Sequence, residues 1–142
     1  MKIVNLGEAN SALNNFIAEI RDTAIQKDSM RFRTNLERIG AVFAYEISKI
    51  LDYTTKEVTT PLGIAMCNTM DNEIVIASIL RAGLPLHHGM LSVFDKSQNA
   101  FVAAYRKYGK DNKFTIQIEY TSTPALGGKT LIYFEVITTV AI

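Results

Sequence analysis

Two short stretches place cations among small or aromatic residues where a strand should end, and both have the makings of an anion site. The first is Leu80-Arg81-Ala82-Gly83-Leu84-Pro85. A guanidinium can fork two hydrogen bonds to phosphate oxygens. Free amides at a following helix start attract anions with help from the helix dipole, and Gly83 would let a diphosphate approach the main chain closely. The plainer reading is a tight strand-to-helix turn with Arg81 on the surface. The second stretch is Tyr105-Arg106-Lys107-Tyr108, where Arg106 could close over a phosphate while the tyrosines limit its freedom. A solvated charged turn with tyrosines on its rim is the alternative.

The remaining reactive residues read as spectators. His87 and His88 invite a metal or acid–base role. Neighbouring helix positions point about 100° apart, so the pair cannot easily share one ion, and no third ligand stands near them in sequence. One packed and one wet histidine is the expectation. Cys67 has no charged neighbour in sequence to lower its pKa and reads as a buried spectator.

The elements that must position these residues follow from periodicity. A first helix is expected from Glu8 to about Asp22, with Leu13, Phe16, Ile17 and Ile20 at helical spacing. A longer one is expected over Ser29–Leu51, with the stripe Phe32, Leu36, Ile39, Phe43, Ile47 and Ile50 and Asp28 or Ser29 as N-cap. Arg31, Arg33 and Arg38 lie off that stripe, on a solvated face or on a phosphate-facing or interface edge. Glu57–Thr69 reads as a hairpin turning at Pro61-Leu62-Gly63. Glu73–Leu80 is nearly unbroken apolar sequence, the mark of a strand covered on both faces. Leu84–Phe94 follows as a helix, with Pro85 in its first turn. Ala100–Tyr105 reads as another buried strand, Lys107–Asn112 as a turn, and Lys113–Tyr120 as a half-buried antiparallel strand with one wet face. Gly127-Gly128 turns into Thr130–Ile142, a central strand. The sum is an α/β domain with helices on both faces of a sheet, and ligands in such sheets bind at the carboxyl ends of the strands.

Bulk properties narrow the function classes. The 142 residues fit one domain. Hydrophobic residues at 48% and charged ones at 20% are ordinary for a globular chain, and a net charge of +1 argues against a general nucleic-acid binder. One cysteine excludes an internal disulfide and a multi-cysteine zinc site. No signal peptide or membrane-length apolar run is evident, so the cytoplasm is the default location and no membrane partner is expected.

Four segments in register carry a family resemblance: Met30-Arg31-Phe32-Arg33, Val58-Thr59-Thr60-Pro61-Leu62-Gly63, Ile79-Leu80-Arg81-Ala82-Gly83-Leu84-Pro85 and Ala104-Tyr105-Arg106-Lys107-Tyr108. In order and spacing the chain resembles uracil phosphoribosyltransferase from Met1 to about Ile132. The resemblance implies a type I phosphoribosyltransferase-like α/β fold: a mainly parallel sheet flanked by helices, with a β-hairpin flap. The single domain, 1–142, would divide into N-terminal helices (1–52), the hairpin (53–72) and part of the core sheet (73–142). It implies transfer of ribose 5-phosphate from phosphoribosyl pyrophosphate (PRPP) to N1 of uracil, giving UMP and pyrophosphate in pyrimidine salvage. Magnesium assists the reaction, and members form dimers or higher oligomers. By position, Arg81, Ala82 and Gly83 correspond to the loop that meets the pyrophosphate of PRPP, and Arg106 to a mobile arginine that also reaches it. The chemistry agrees. Leaving pyrophosphate gains negative charge as the sugar gains oxocarbenium character, so cations and amide donors belong at the diphosphate.

The last residues depart from the family pattern. Glu135 falls where that pattern has the acid of its 5-phosphate loop, but no Pro or Gly follows, and β-branched residues suit an anion nest poorly. No uracil-binding segment and no metal-ligating residue can be assigned. The expectation is a C-terminally incomplete, inactive copy, truncated or frame-shifted, marginally stable or self-associating because a cut sheet exposes strand edges. The alternative is a non-catalytic regulator or assembly partner of a full-length phosphoribosyltransferase. A different base specificity on the same fold stays open.

Overall fold

The computed structural model describes residues 3–108 and 113–135. Helix α1 spans Ala12–Arg21, α2 Ser29–Ser48 and α3 Leu84–Leu91, with a 3-10 turn at Ile25–Lys27. α1 starts later than expected, and local side-chain bonds accompany the delay. Asn5 Oδ1 accepts from the Gly7 N–H and Asn14 Nδ2 donates to the Gly7 carbonyl, which offers this backbone an alternative to the helix ladder. α2 is capped by Asp28, whose carboxylate accepts from the Met30 and Arg31 amides at 3.0 Å each.

Two of the three off-stripe arginines bind α1 to α2 rather than facing a phosphate. Arg31 donates to Glu19 at 3.2 Å. Arg38 donates to Asn35 Oδ1 and lies 5.3 Å from the centre of the Phe16 ring. Fully buried Asn35 completes the tie by donating to Glu19 at 2.6 Å. That bond, followed by the nearby guanidinium groups, holds the Glu19 carboxyl below its ordinary pKa.

Strands β1 (Tyr53–Thr60) and β2 (Gly63–Met70) form a separate antiparallel hairpin. Thr60 pairs with Gly63 across Pro61-Leu62, and Gly63 takes φ +128°, a conformation that favours glycine. β3 (Ile74–Leu80), β4 (Gln98–Tyr108), β5 (Phe114–Ser122) and β6 (Thr130–Phe134) make the main sheet, in the order β5-β4-β3-β6. β3 runs parallel to both β4 and β6, and β5 is antiparallel to β4.

Burial explains this order. Ile74, Ile76 and Ile132 on one face join Leu13, Ile39, Ala44, Leu86, Met90 and Phe94 of the helical side in the main core. Val75, Ala77 and Ala100 form a small second cluster on the other face. The helices therefore flank the sheet, but among the described residues they gather on one face rather than both. Three further expectations are corrected. β3, not the last strand, is central; β6 borders β3 alone among the described strands, and its Leu131 and Tyr133 are half exposed. Every position of β5 is exposed, because the helices pack over β3 and do not reach that far. β4 is buried only at Ala100 and runs on to Tyr108. The expected turn residues 109–112 and strand residues 136–142 lie outside the described residues.

The helical layer is pinned to the sheet by two glycines. A Cβ on Gly89 would fall inside contact distance of the Glu37 carbonyl oxygen, and one on Gly40 inside that of the Leu86 carbonyl oxygen. α2 and α3 thus cross backbone to backbone. Gly89→Ala should lower unfolding free energy by about 3 kcal/mol, since relief requires the helices to separate. Gly127→Ala, where a Cβ meets nothing within 4 Å, should change it by under about 0.5 kcal/mol. Urea titrations of both variants check this, and equal midpoints would refute the close crossing.

Candidate functional site

β3 delivers the first cationic turn. Ile74–Ser78 are buried, Leu80 is half-buried, and the chain emerges as exposed Arg81 and Ala82 before buried Gly83 leads into α3. The Leu80–Arg81 peptide is cis. The Gly83 N–H donates to the Ile79 carbonyl at 3.2 Å, the Leu84 N–H to the Arg81 carbonyl at 3.2 Å, and the His87 N–H to the Gly83 carbonyl at 2.9 Å. The first helical amides are therefore partly used inside the turn, and Pro85 has none to offer. This leaves Arg81 itself, which makes no ion pair with any described residue, as the main anion-seeking group.

Gly83 is small for a reason that sequence alone did not reveal. Its φ is −74°, open to any residue. A Cβ there would stand 2.9 Å from the Ile79 oxygen, 3.2 Å from Ser78 Cβ and 3.4 Å from Phe134 Cε2. Glycine seats the turn directly on β3 and β6.

Arg106 sits elsewhere. Leu80 pairs with Ala103, so Arg106 lies three residues, roughly 10 Å, farther along β4. Arg81 and Arg106 thus lie at the carboxyl ends of neighbouring parallel strands, with Arg106 the farther out. Tyr105 does not confine Arg106. Neighbouring strand residues face opposite ways, and Tyr105 turns toward Glu119. Partial desolvation first, then the Glu119 charge, raises the Tyr105 pKa. The guanidinium of Arg106 instead stacks 4.9 Å from the ring centre of Phe114, a partner missed in the sequence because it comes from the next strand. Glu135 is exposed just beyond β6, at the same carboxyl edge of the sheet as Arg81. Cys67 is half-buried in the hairpin rather than in the core.

The histidine pair divides as expected. His88 is exposed, beside a shallow pocket of about 360 Å³ shared with Arg33, Glu37 and Pro85. His87 is 1% exposed, with Nε2 2.7 Å from Asn99 Oδ1 and its ring 5.0 Å from that of Phe101. Burial lowers its pKa, the Asn99 bond opposes this, and the charge of His88 lowers it further. No cluster of three potential metal ligands occurs among the described residues. The larger cavity, about 980 Å³, lies between α1 and the end of α2 and includes no residue of the Arg81 turn. No helix among the described residues is long and apolar enough to cross a membrane.

Comparison with known proteins adds independent findings. The family model described as uracil phosphoribosyltransferase matches residues 8–126. A protein of Porphyromonas gingivalis with that name is 52% identical over 132 residues, covering 93% of this chain and 61% of its own length. Its namesake in Thermococcus gammatolerans is 35% identical over 114 residues, covering 78% of this chain and 48% of its own. The chain thus spans about three fifths or less of these relatives. The solved AQ2163 protein of Aquifex aeolicus superposes with a TM-score of 0.73 at 28% identity, over 89% of this chain and 59% of that one.

The burial of His87 has a pH consequence. Its pKa is lowered in the folded state, so the unfolded chain takes up the proton first. Stability conferred by the neutral ring is complete above the ordinary imidazole pKa of about 6.5 and is lost as pH falls through the folded value. The urea midpoint should drop between about pH 7 and pH 5, and His87→Leu should flatten that slope. A slope unchanged by the substitution would refute the assignment.

Proposed function

This chain belongs to the uracil phosphoribosyltransferase family, and on that premise we propose that it engages the pyrophosphate of PRPP and derives from an enzyme transferring ribose 5-phosphate to N1 of uracil. The observation that carries this is the exposed Arg81, without an ion pair among the described residues, at the carboxyl end of the most buried strand, on a turn packed against β3 and β6. In the transfer, the C1–oxygen bond to pyrophosphate breaks as uracil N1 bonds to C1 and loses its proton. Arg81 would take the charge gathering on the leaving diphosphate, with Ala82 and Gly83 shaping its seat. Arg106, on the exposed part of β4, would add a second cation when that part of the strand pair bends over the ligand.

Magnesium fits this site as a companion of the ligand. The described residues hold no ligand cluster for it, and the ion commonly binds through substrate phosphates and few protein carboxylates. Glu135 stands at the same sheet edge to accept such a contact. Bound with the diphosphate, magnesium would neutralise part of the leaving group's charge.

The proposal includes an inactive state for this 142-residue chain by itself, because its residues after Phe134 lack the Pro and Gly of the family's 5-phosphate loop. It also includes self-association in the cytoplasm, where the unpaired Cys67 remains a thiol. A second reading, as regulator or assembly partner of a full-length phosphoribosyltransferase, is favoured by the projecting hairpin. Leu62, Ile64 and Met66 there are 100%, 71% and 64% exposed. Native mass spectrometry after mixing with an intact family enzyme separates the two: mixed oligomers support the second, and homo-oligomers alone the first.

Calorimetry with PRPP and magnesium tests the site. Arg81→Ala should weaken binding by about 10–100-fold, the worth of a charge-assisted hydrogen-bond pair, and Arg106→Ala by less. Unaltered affinity in Arg81→Ala would overturn the assignment. In a radiolabelled uracil assay the chain alone should form no UMP; clear turnover would refute the inactive state.

A further inference from the structure

Two buried polar atoms near the site have no hydrogen-bond partner among the described residues: Ser78 Oγ and His87 Nδ1. Ser78 is 0% exposed and His87 1%. Leaving such groups unsatisfied is costly, so their coincidence calls for a physical reason.

They lie in one place. Ser78 pairs in register with Phe101 of β4 and Phe134 of β6. The His87 ring is 5.0 Å from the ring of Phe101 and 6.0 Å from that of Phe134. An imidazole bracketed by these two rings sits over the residue between them, which is Ser78. Nε2 meets Asn99 Oδ1 at 2.7 Å. An amide oxygen accepts only, so Nε2 carries the hydrogen and the partnerless Nδ1 keeps a bare lone pair. Ser78 and His87 also grip the first cationic turn. The His87 N–H donates to the Gly83 carbonyl, and Ser78 Cβ lies 3.2 Å from where a Gly83 Cβ would be.

We propose that buried Ser78 and His87, with Asn99 at their exposed edge, form a positioning unit beneath the Arg81–Gly83 turn, in which Asn99 fixes the Nε2–H tautomer and one water joins Nδ1 to the Ser78 hydroxyl. The water donates to Nδ1 and accepts from Ser78 Oγ–H, satisfying both ends. The unit keeps α3 and the end of β3 in fixed relation, and with them the position of Arg81. Its bearing on ligand binding rests on the pyrophosphate reading given above; its chemistry does not.

Two measurements on the full chain judge it. Nitrogen-15 NMR of the histidine side chains should show His87 as a single Nε2–H tautomer. Asn99→Ala should mix the tautomers, while Asn99→Asp, which keeps an acceptor, should keep Nε2 protonated. An Nδ1–H tautomer in the native chain, or no change in Asn99→Ala, overturns the unit. Calorimetry with magnesium pyrophosphate should give about 3–10-fold weaker binding in Ser78→Ala and Asn99→Ala, the effect of losing one hydrogen bond. Both changes are small, and Asn99 lies at an exposed position, so the fold should persist. If the native chain binds magnesium pyrophosphate and both variants match it within twofold, the positioning role is refuted. If the native chain binds none, the pyrophosphate reading falls, and the tautomer spectra alone decide the unit.

Discussion

The backbone contact of α2 with α3 is the constraint on which the remaining architecture depends. Gly40 and Gly89 remove the side chains that would hold the two helices apart. α3 can therefore lie under α2 and over β3 at once, placing Leu86 and Met90 in a common core with Ile74, Ile76 and Ile132. A wider crossing would lift α3 from the sheet, and the turn feeding it would lose its footing on Ser78 and Phe134. Dense packing transmits such shifts because an interior without voids has little room to absorb them.

The two arginines differ in mechanical setting. Arg81 leaves a strand that is hydrogen-bonded on both sides and fully covered along most of its length. Arg106 rides on the β4–β5 extension, where every β5 side chain is exposed. Few buried contacts mean a low cost of local rearrangement. Of the two cations, Arg81 is therefore the more firmly seated.

Much of this was legible in the residues. The apolar run through Glu73–Leu80 marked a strand covered on both faces, though not its central place, and Pro61-Leu62-Gly63 marked the hairpin turn. The adjacency of His87 and His88 on a helix implied one packed and one wet ring. The illegible features depend on partners distant in sequence. Nothing near Gly89 indicates that Glu37 passes against it, and nothing near Arg106 indicates Phe114. The alternation of Phe114, Ile116, Ile118 and Tyr120 correctly signals a strand. It does not report whether any layer covers the apolar side, and in the described residues none does. Nothing near Gly83 in sequence indicates that Ile79, Ser78 and Phe134 crowd it from the sheet beneath.

The register shift at Ala103/Ala104 has an electrostatic result. β5 there carries one extra residue, Glu119, between the partners of Ala103 and Ala104. With unbroken pairing, Glu119 would oppose Ala104 and share a side with Arg106, close enough for carboxylate and guanidinium to neutralise each other. The insertion reverses the phase of everything beyond it. Glu119 goes to the Tyr105 side, and Arg106 comes to rest on an uncharged strip of Phe114, Ile116 and Ile118. A single surplus residue thus keeps a positive charge from being quenched within its own hairpin.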